Sequence, residues 1–305
     1  MEKREFLVPS CDGIHTLSGV IYLPEGKPKG YFQVAHGMTE HIARYDTFLS
    51  ELARNGWIAF GYDHVGHGKT ARGESELGYI AKKDGWKLLA RDVKAFSDAV
   101  RREIGADMPY CLMGHSMGSF VARVAAERYV QPDRLILMGT GGPNPAAGAG
   151  LALTSLVKAF CGEKHISPLV ESLAFGSYNK RFGGGSEDDP KPWLTRDEAV
   201  RARYYADPYC SFHFTVSAMG DLIRLTKEAN RGAWYRKLPK ELPILLISGA
   251  EDPVGAYGKG IRQVEKKLKR KGISTEVILY EGARHEILND TTHEQTTKDI
   301  LNWLG

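Results

Sequence analysis

Pro109-Tyr110-Cys111-Leu112-Met113-Gly114-His115-Ser116-Met117-Gly118 is the stretch that decides the fold. Its apolar run, Tyr110 to Met113, stops in Gly-His-Ser-Met-Gly, and a helical pattern then carries Phe120, Val121, Val124 and Ala125 on one side. Strand, sharp turn and helix follow one another, with Ser116 at the apex. Such a turn strains the serine backbone and lifts its hydroxyl clear of the sheet. Gly114 and Gly118 belong there because strand and helix cross too closely for a Cβ.

Toward the N-terminus, Glu5 to Pro9 and Leu17 to Leu23 read as two strands joined at Cys11-Asp12-Gly13, an antiparallel edge. Tyr31 to Ala35 is a third strand and Trp57 to Tyr62 a fourth, separated by a helix with Tyr45, Phe48, Leu49 and Leu52 on one face. The next helix carries Leu89, Val93, Phe96, Val100 and Ile104, and stops at Gly105. Beyond the quoted stretch come the apolar runs Leu135 to Met138, Ile244 to Ile247 and Thr275 to Tyr280, then a closing helix that buries Ile300, Leu301 and Leu304. This alternation predicts an α/β fold with an eight-stranded, mostly parallel sheet covered on both faces. It breaks at Gly141-Gly142-Pro143, and no strand pattern returns before Pro239. Residues 1–142 and 240–305 are therefore expected to form one core, and 143–239 a helical insertion longer than ordinary connections. The first helix of that insertion is expected over Leu151 to Phe160 and the last over Phe214 to Ala229.

Composition excludes several classes. With 42% hydrophobic and 26% charged residues, the chain has an ordinary globular balance. A net charge of +4, with bases dispersed among acids, gives no footprint for nucleic acid. Lys266, Lys267, Lys269, Arg270 and Lys271 read as the solvated face of a helix. The charged start Met1-Glu2-Lys3-Arg4-Glu5 does not read as a signal peptide. The longest mostly apolar stretch, Ala146 to Val157, falls short of the ~20 residues that span a bilayer. Cys11, Cys111, Cys161 and Cys210 lack C-x-x-C spacing and read as free thiols in a reduced compartment, so the expected location is cytoplasmic.

Three chemically apt residues follow strands of the parallel sheet: Ser116, Asp252 and His285. In an open sheet those strand ends share one edge, where ligands bind. A serine hydroxyl attacks when a histidine takes its proton and a carboxylate holds that histidine in the right tautomer. The order Ser, Asp, His is that of the α/β-hydrolases. Glu251 competes with Asp252, which the following Pro253 favours by fixing the turn. His293 competes with His285 but is expected to face solvent on the first turn of the last helix. Two backbone N–H groups, of Met38 after the third strand and Met117 after the nucleophile, are expected to form the oxyanion hole. Asp63, His64 and His67 suggest a metal, but no further ligand follows at a known spacing, so none is expected. Gly66-His67-Gly68-Lys69-Thr70 ends like a phosphate loop, yet Asp63 stands at its leading position, so no nucleotide or other cofactor is expected.

His36-Gly37-Met38-Thr39-Glu40-His41, Asp63-His64-Val65-Gly66-His67-Gly68, the serine turn, Ser248-Gly249-Ala250-Glu251-Asp252-Pro253 and Gly282-Ala283-Arg284-His285 together carry a resemblance. The chain resembles the monoacylglycerol lipase and lysophospholipase branch of the α/β-hydrolases, whose members are often labelled serine aminopeptidase-like (S33). The resemblance implies ester hydrolysis through an acyl-Ser116 intermediate, with a monoacylglycerol or lysophospholipid as substrate. It also implies that 143–239 is a cap over the site, touching a membrane surface transiently. Thr39 and Ser119 depart from the glycines common at those positions, both close to the acyl site. Leu153, Leu156, Val157 and Phe160 share one face of the first cap helix. They are expected either to pack internally or to line an acyl tunnel together with the face of Phe214, Met219, Leu222 and Ile223. An aminopeptidase, needing cap carboxylates such as Glu187, Asp188 and Asp189, is the alternative chemistry, with a small-ester carboxylesterase beside it. A ligand receptor retaining the hydrolase shell is the alternative outside enzymes. Nothing in the sequence bears on oligomeric state.

Overall fold

A computed structural model describes all 305 residues. Strands β1 (Glu2–Pro9) and β2 (Thr16–Leu23) form an antiparallel hairpin that joins β4 (Trp57–Tyr62) at the sheet edge. The parallel strands are β3 (Gly30–Ala35), β4, β5 (Tyr110–His115), β6 (Arg134–Met138), β7 (Ile244–Gly249) and β8 (Thr275–Tyr280). The order across the sheet is β1-β2-β4-β3-β5-β6-β7-β8.

Side chains alternate between two cores, as the pleat requires. Tyr110, Leu112, Leu135, Leu137, Ile244 and Leu246 face one way, and Cys111, Met113, Ile136, Met138, Leu245 and Ile247 the other. The first core is closed by α2 (Gly85–Ile104), α3 (Met117–Arg128) and α9 (Lys259–Lys269). The second is closed by α1 (Asp46–Arg54) and α10 (His293–Leu304). Helix α2 shows why such helices form: its buried Leu89, Val93, Phe96 and Val100 repeat at helical spacing, and Gly105 ends it at a φ of 71°.

Between β6 and β7 the chain is helical: α4 (Ala147–Cys161), α5 (Pro168–Phe175), α6 (Glu198–Ala206), α7 (Val216–Ala229) and α8 (Gly232–Lys237). Helix α4 begins four residues before the predicted start, because Ala147 to Gly150 continue the turn. Helix α7 begins at Val216, because the Thr215 side chain caps it by accepting from the Ala218 N–H. Helices α7 and α8 are rooted in the first core through Met219, Leu225, Trp234 and Tyr235. No helix is long and apolar enough to cross a membrane, and all four cysteines are free thiols.

The strand order positions the site. After β3 the chain moves outward to β4, and after β5 it moves the opposite way to β6, while β3 and β5 lie side by side. Loops leaving their C-terminal ends diverge and open a crevice at this switch point.

Candidate active site

Ser116 stands at this crevice with φ 53° and ψ −120°, a conformation that costs a non-glycine residue energy. Its surroundings impose the turn. A Cβ on Gly118 would run into the carbonyl oxygens of Ala35 and His36, and one on Gly114 into the carbonyl of Gly118. The Ser116 N–H donates to the Met138 carbonyl at 2.9 Å, and the Ser119 hydroxyl donates to the Ser116 carbonyl at 2.6 Å. Ser119 thus uses its extra hydroxyl to close the first turn of α3.

Asp252 and His285 meet after β7 and β8. His285 Nδ1 lies 2.9 Å from Asp252 Oδ1, with the N–H direction off the line to the oxygen. The other carboxylate oxygen accepts from the Ser248 hydroxyl at 3.0 Å, and Oδ1 also accepts from the Val254 N–H at 2.8 Å. Both side chains are buried, whereas Glu251 and His293 face solvent. His285 Nε2 has no protein partner, and His285 and Ser116 line the same cavity. The His285 ring lies against the ring of His115, beside the serine, with centroids 4.9 Å apart. Both rings also bound the space at Gly139, where a Cβ would come within 3.0 Å of His285 and 3.3 Å of His115.

Gly37 lies close to the serine: a Cβ there would sit 3.1 Å from the Cβ of Ser116. Met38 and Met117 both line the cavity. The Met38 N–H donates to no other group of the protein, and the Met117 N–H, first in α3, lacks an intrahelical acceptor. Thr39 adopts φ 53°, the conformation for which glycine is the usual choice. Two hydrogen bonds to Tyr204 of α6, at 2.7 and 2.9 Å, hold it there.

Glu40 is the buried hub of this loop. One carboxylate oxygen accepts from the Gly37 N–H at 2.5 Å, the Tyr45 hydroxyl at 2.9 Å and His115 Nδ1 at 3.0 Å. The other accepts from Arg44 at 2.9 Å. Burial alone would raise the Glu40 carboxyl, but His115 and Arg44 outweigh it and hold it well below the usual range. For His115, burial pulls the other way and the Glu40 carboxylate wins, so its pKa is raised. Arg44 also forms a two-pronged pair with Glu286, the residue after His285, at 2.8 and 2.6 Å. Glu40 and Arg44 therefore couple the serine turn, the loop after β3 and the loop after β8. The H-G-x-x-E-H pattern pointed to this loop. It did not reveal the pairs Arg44 with Glu286, Tyr45 with His115 and Thr39 with Tyr204, which are distant in sequence.

Asp63 turns its carboxylate to the N–H groups of Ile42 and Lys69, at 2.7 and 2.8 Å, and so ties the loop after β4 to the loop after β3. His36 Nε2 accepts from the His64 N–H at 2.9 Å, and the His36 and His64 rings pack at 4.3 Å. Burial pushes His64 and His67 down to about 3, so both are neutral rings, and both pack against the ring of His36.

The cavity over Ser116 has a volume of about 1230 Å³. Its apolar wall comes from α4 and α7, including Leu153, Met219, Leu222 and Ile223. Of the four positions expected on α4, the structure brings only Leu153 to this wall. Val157 packs against the first core, while Leu156 and Phe160 are 57% and 83% exposed. Only the N-terminal half of α4 (Ala147, Ala149, Gly150 and Leu153) covers the cavity; the second half runs past its rim. Phe214 is buried in the first core instead. Among the acids considered for binding an amine, Asp189 is engaged by Arg201 at 2.9 Å, and Glu187 and Asp188 are exposed at the rim. Sequence reasoning missed Trp193, whose ring packs on His285 at 5.1 Å.

Residues 26–292 match the model of the family described as serine aminopeptidase, S33. The chain is 27% identical to the monoglyceride lipase of Mus musculus over 287 residues, spanning 89% of this chain and 82% of that protein. It is 24% identical to the monoacylglycerol lipase of Mycolicibacterium smegmatis, spanning 98% and 99%. Among solved structures, a highly thermostable carboxyl esterase from Bacillus coagulans, in complex with glycerol, superposes with a TM-score of 0.92 at 29% identity. That match covers 100% of this chain and 98% of the esterase.

Proposed function

Because the chain belongs to the serine aminopeptidase S33 family and is an ester hydrolase of the monoacylglycerol lipase branch, we propose that it cleaves monoacyl lipid esters through an acyl-Ser116 intermediate. His285 Nε2 takes the Ser116 proton as the hydroxyl attacks the ester carbonyl, and Asp252 stabilises the imidazolium that results. The oxyanion faces the N–H groups of Met38 and Met117. His285 then returns the proton to the leaving alcohol, and water repeats the sequence on the acyl-enzyme.

The observation that carries this reading is the cavity itself. Its large volume and the apolar wall of α4 and α7 suit an acyl chain laid out from Ser116. Outside it, Leu156, Phe160, Ile166 and Leu169 are exposed on α4, on α5 and on their connection. This outward face supports the role of 143–239 as a cap that rests on a lipid surface while substrate enters.

A series of monoacylglycerols of increasing chain length, each below its aggregation threshold, tests the reading. Each buried methylene is worth about 0.8 kcal/mol, so kcat/KM should climb roughly fourfold per carbon before levelling off. A rate flat or falling beyond a four-carbon acyl group would leave a small-ester hydrolase instead.

A further inference from the structure

We infer that Lys191 recognises an anionic headgroup, and that the preferred substrate carries a phosphate beside the scissile ester, as a lysophospholipid does. This rests on the monoacyl-lipid reading above and selects within it.

Lys191 lines the same cavity as Ser116 and His285. It stands between Pro190 and Pro192, so the backbone on both sides has little freedom. Its N–H donates to the Tyr205 hydroxyl at 2.9 Å, and Trp193, two residues on, packs against the ring of His285. The stem of Lys191 therefore starts from a fixed point beside the expected base. Its Nζ lies 5.3 Å from the ring centre of Tyr204, whose hydroxyl holds Thr39 next to the Met38 amide. The ammonium is one aromatic ring away from the loop expected to bind the oxyanion.

Charges around the cavity are otherwise accounted for. Arg44 holds Glu40 and Glu286, and His213 lies 2.7 Å from Glu171. Glu187 and Asp188 are exposed at the rim, where water screens them. Lys191 alone among the enclosed groups forms no ion pair. Burial lowers its pKa, and the carboxylates that oppose this, Glu171 and Glu286, act from a distance. Lys191 is partly buried, and a cation drawn out of water without a partner is costly; an anionic guest would offset that cost.

Position favours a headgroup over the acyl end. Leu153 and Leu222 border the first core, whereas Tyr204 and Trp193 belong to a separate small cluster with Leu194. An acyl chain along α4 and α7 leaves the alcohol portion on the Lys191 side. In a 1-acylglycerol 3-phosphate, the phosphate lies a few bonds beyond the ester oxygen, within reach of a four-carbon ammonium stem.

The test compares kcat/KM for a 1-acylglycerol 3-phosphate, the matching 1-acylglycerol and an equally long ester bearing a carboxylate, all as monomers. Wild type should prefer the phosphate. Lys191→Met should lower the phosphate-to-neutral ratio on the order of 10- to 100-fold, chiefly through KM, as expected for a lost charge-assisted hydrogen bond. Lys191→Arg should restore most of the ratio, and Lys271→Met on the surface should leave it unchanged. Glycerol 3-phosphate should inhibit hydrolysis of a p-nitrophenyl acetate by wild type and not by Lys191→Met. An unchanged ratio in Lys191→Met overturns the inference, and so does a wild type that favours the neutral lipid. Equal gain from the carboxylate ester overturns the phosphate assignment. If no lipid is turned over while the acetate is, the monoacyl-lipid reading fails, and inhibition by glycerol 3-phosphate still decides for or against Lys191.

Discussion

The floor and the roof of the cavity are built on opposite rules. On the floor, each atom of Glu40 that can accept a hydrogen bond is used, and Arg44 joins it to Glu286 across a separation of 242 residues. In the roof, α4 and α5 present alanine, glycine and leucine to the cavity, Leu153 and Leu173 among them, with Leu156, Phe160 and Leu169 exposed outside it. Polar networks have narrow geometric tolerance, so the floor holds its groups in one arrangement. Apolar contacts are non-directional, so the roof tolerates rearrangement. The same molecule thus separates exact chemistry from adaptable fit.

Removing one atom from the floor should produce the largest effect. Ser116→Ala should abolish labelling by a fluorophosphonate and lower kcat on the order of 10⁴-fold or more, with thermal stability nearly unchanged. Labelling that persists would place the nucleophile on another serine. Asp252→Asn should follow, with a loss of about 10³- to 10⁴-fold in kcat, against little change for Glu251→Gln. Reversal of that pair would move the acid by one residue.

Glu40→Gln tests the floor through stability. Breaking a buried, charged network costs about 3 kcal/mol, measurable by denaturant unfolding at neutral pH. The sign with pH is also defined. The depressed Glu40 carboxyl contributes stability above its unfolded value, and that contribution is lost as pH falls; the raised His115 loses its own as pH rises through the folded value. The wild type should therefore lose stability on acidification more steeply than Glu40→Gln.

Asp221, where α7 meets the start of α2, has the reverse dependence. One oxygen accepts from the Trp86 N–H at 3.0 Å and the other is buried without a partner. Burial pushes its carboxyl up to about 7. Its contribution is present below the unfolded value and lost as pH rises through about 7. Asp221→Asn should therefore be more stable than wild type at about pH 8, on the order of 2 kcal/mol, with no such gain at about pH 4. Asp92, which burial raises to about 6, contributes to the slope in the same direction. Loss of stability at pH 8 would mean that the carboxylate is better solvated than its position implies.

The smallest effect belongs to the roof. Leu153→Asp should move the chain-length plateau to shorter monoacylglycerols, whereas Leu156→Asp, facing solvent, should leave it in place. If both shift it equally, α4 turns during turnover.

The contrast also explains what the sequence could reveal. Apolar runs located β3 to β7, because a strand buried on both faces leaves no polar alternation to confuse it, whereas the more exposed β1 was marked by the turn that follows it. The serine turn was legible from Gly114 and Gly118, since close backbone crossings admit nothing larger. The α4 face was not. Helical spacing showed that Leu153, Leu156, Val157 and Phe160 share a side, but not that the covered part ends halfway along the helix. Trp193 and Lys191 lie in an irregular stretch without periodicity, placed by contacts with a loop some 90 residues later.

Those contacts bear on chimera construction. The Pro192 and Thr195 carbonyls accept from Arg284, the Trp193 carbonyl faces the His285 N–H at 3.4 Å, and the Leu194 carbonyl accepts from the Glu286 N–H at 2.8 Å. Four consecutive residues of the inserted segment thus serve as backbone scaffolding for the loop that presents the histidine. A graft that exchanged the whole of 143–239 with a relative would import a new lining and remove that scaffold at once. Exchange limited to Ala146–Phe175 would transplant the wall from α4 and α5 alone. The practical unit of recombination in this protein is accordingly smaller than the inserted segment, and its downstream boundary falls before Pro190.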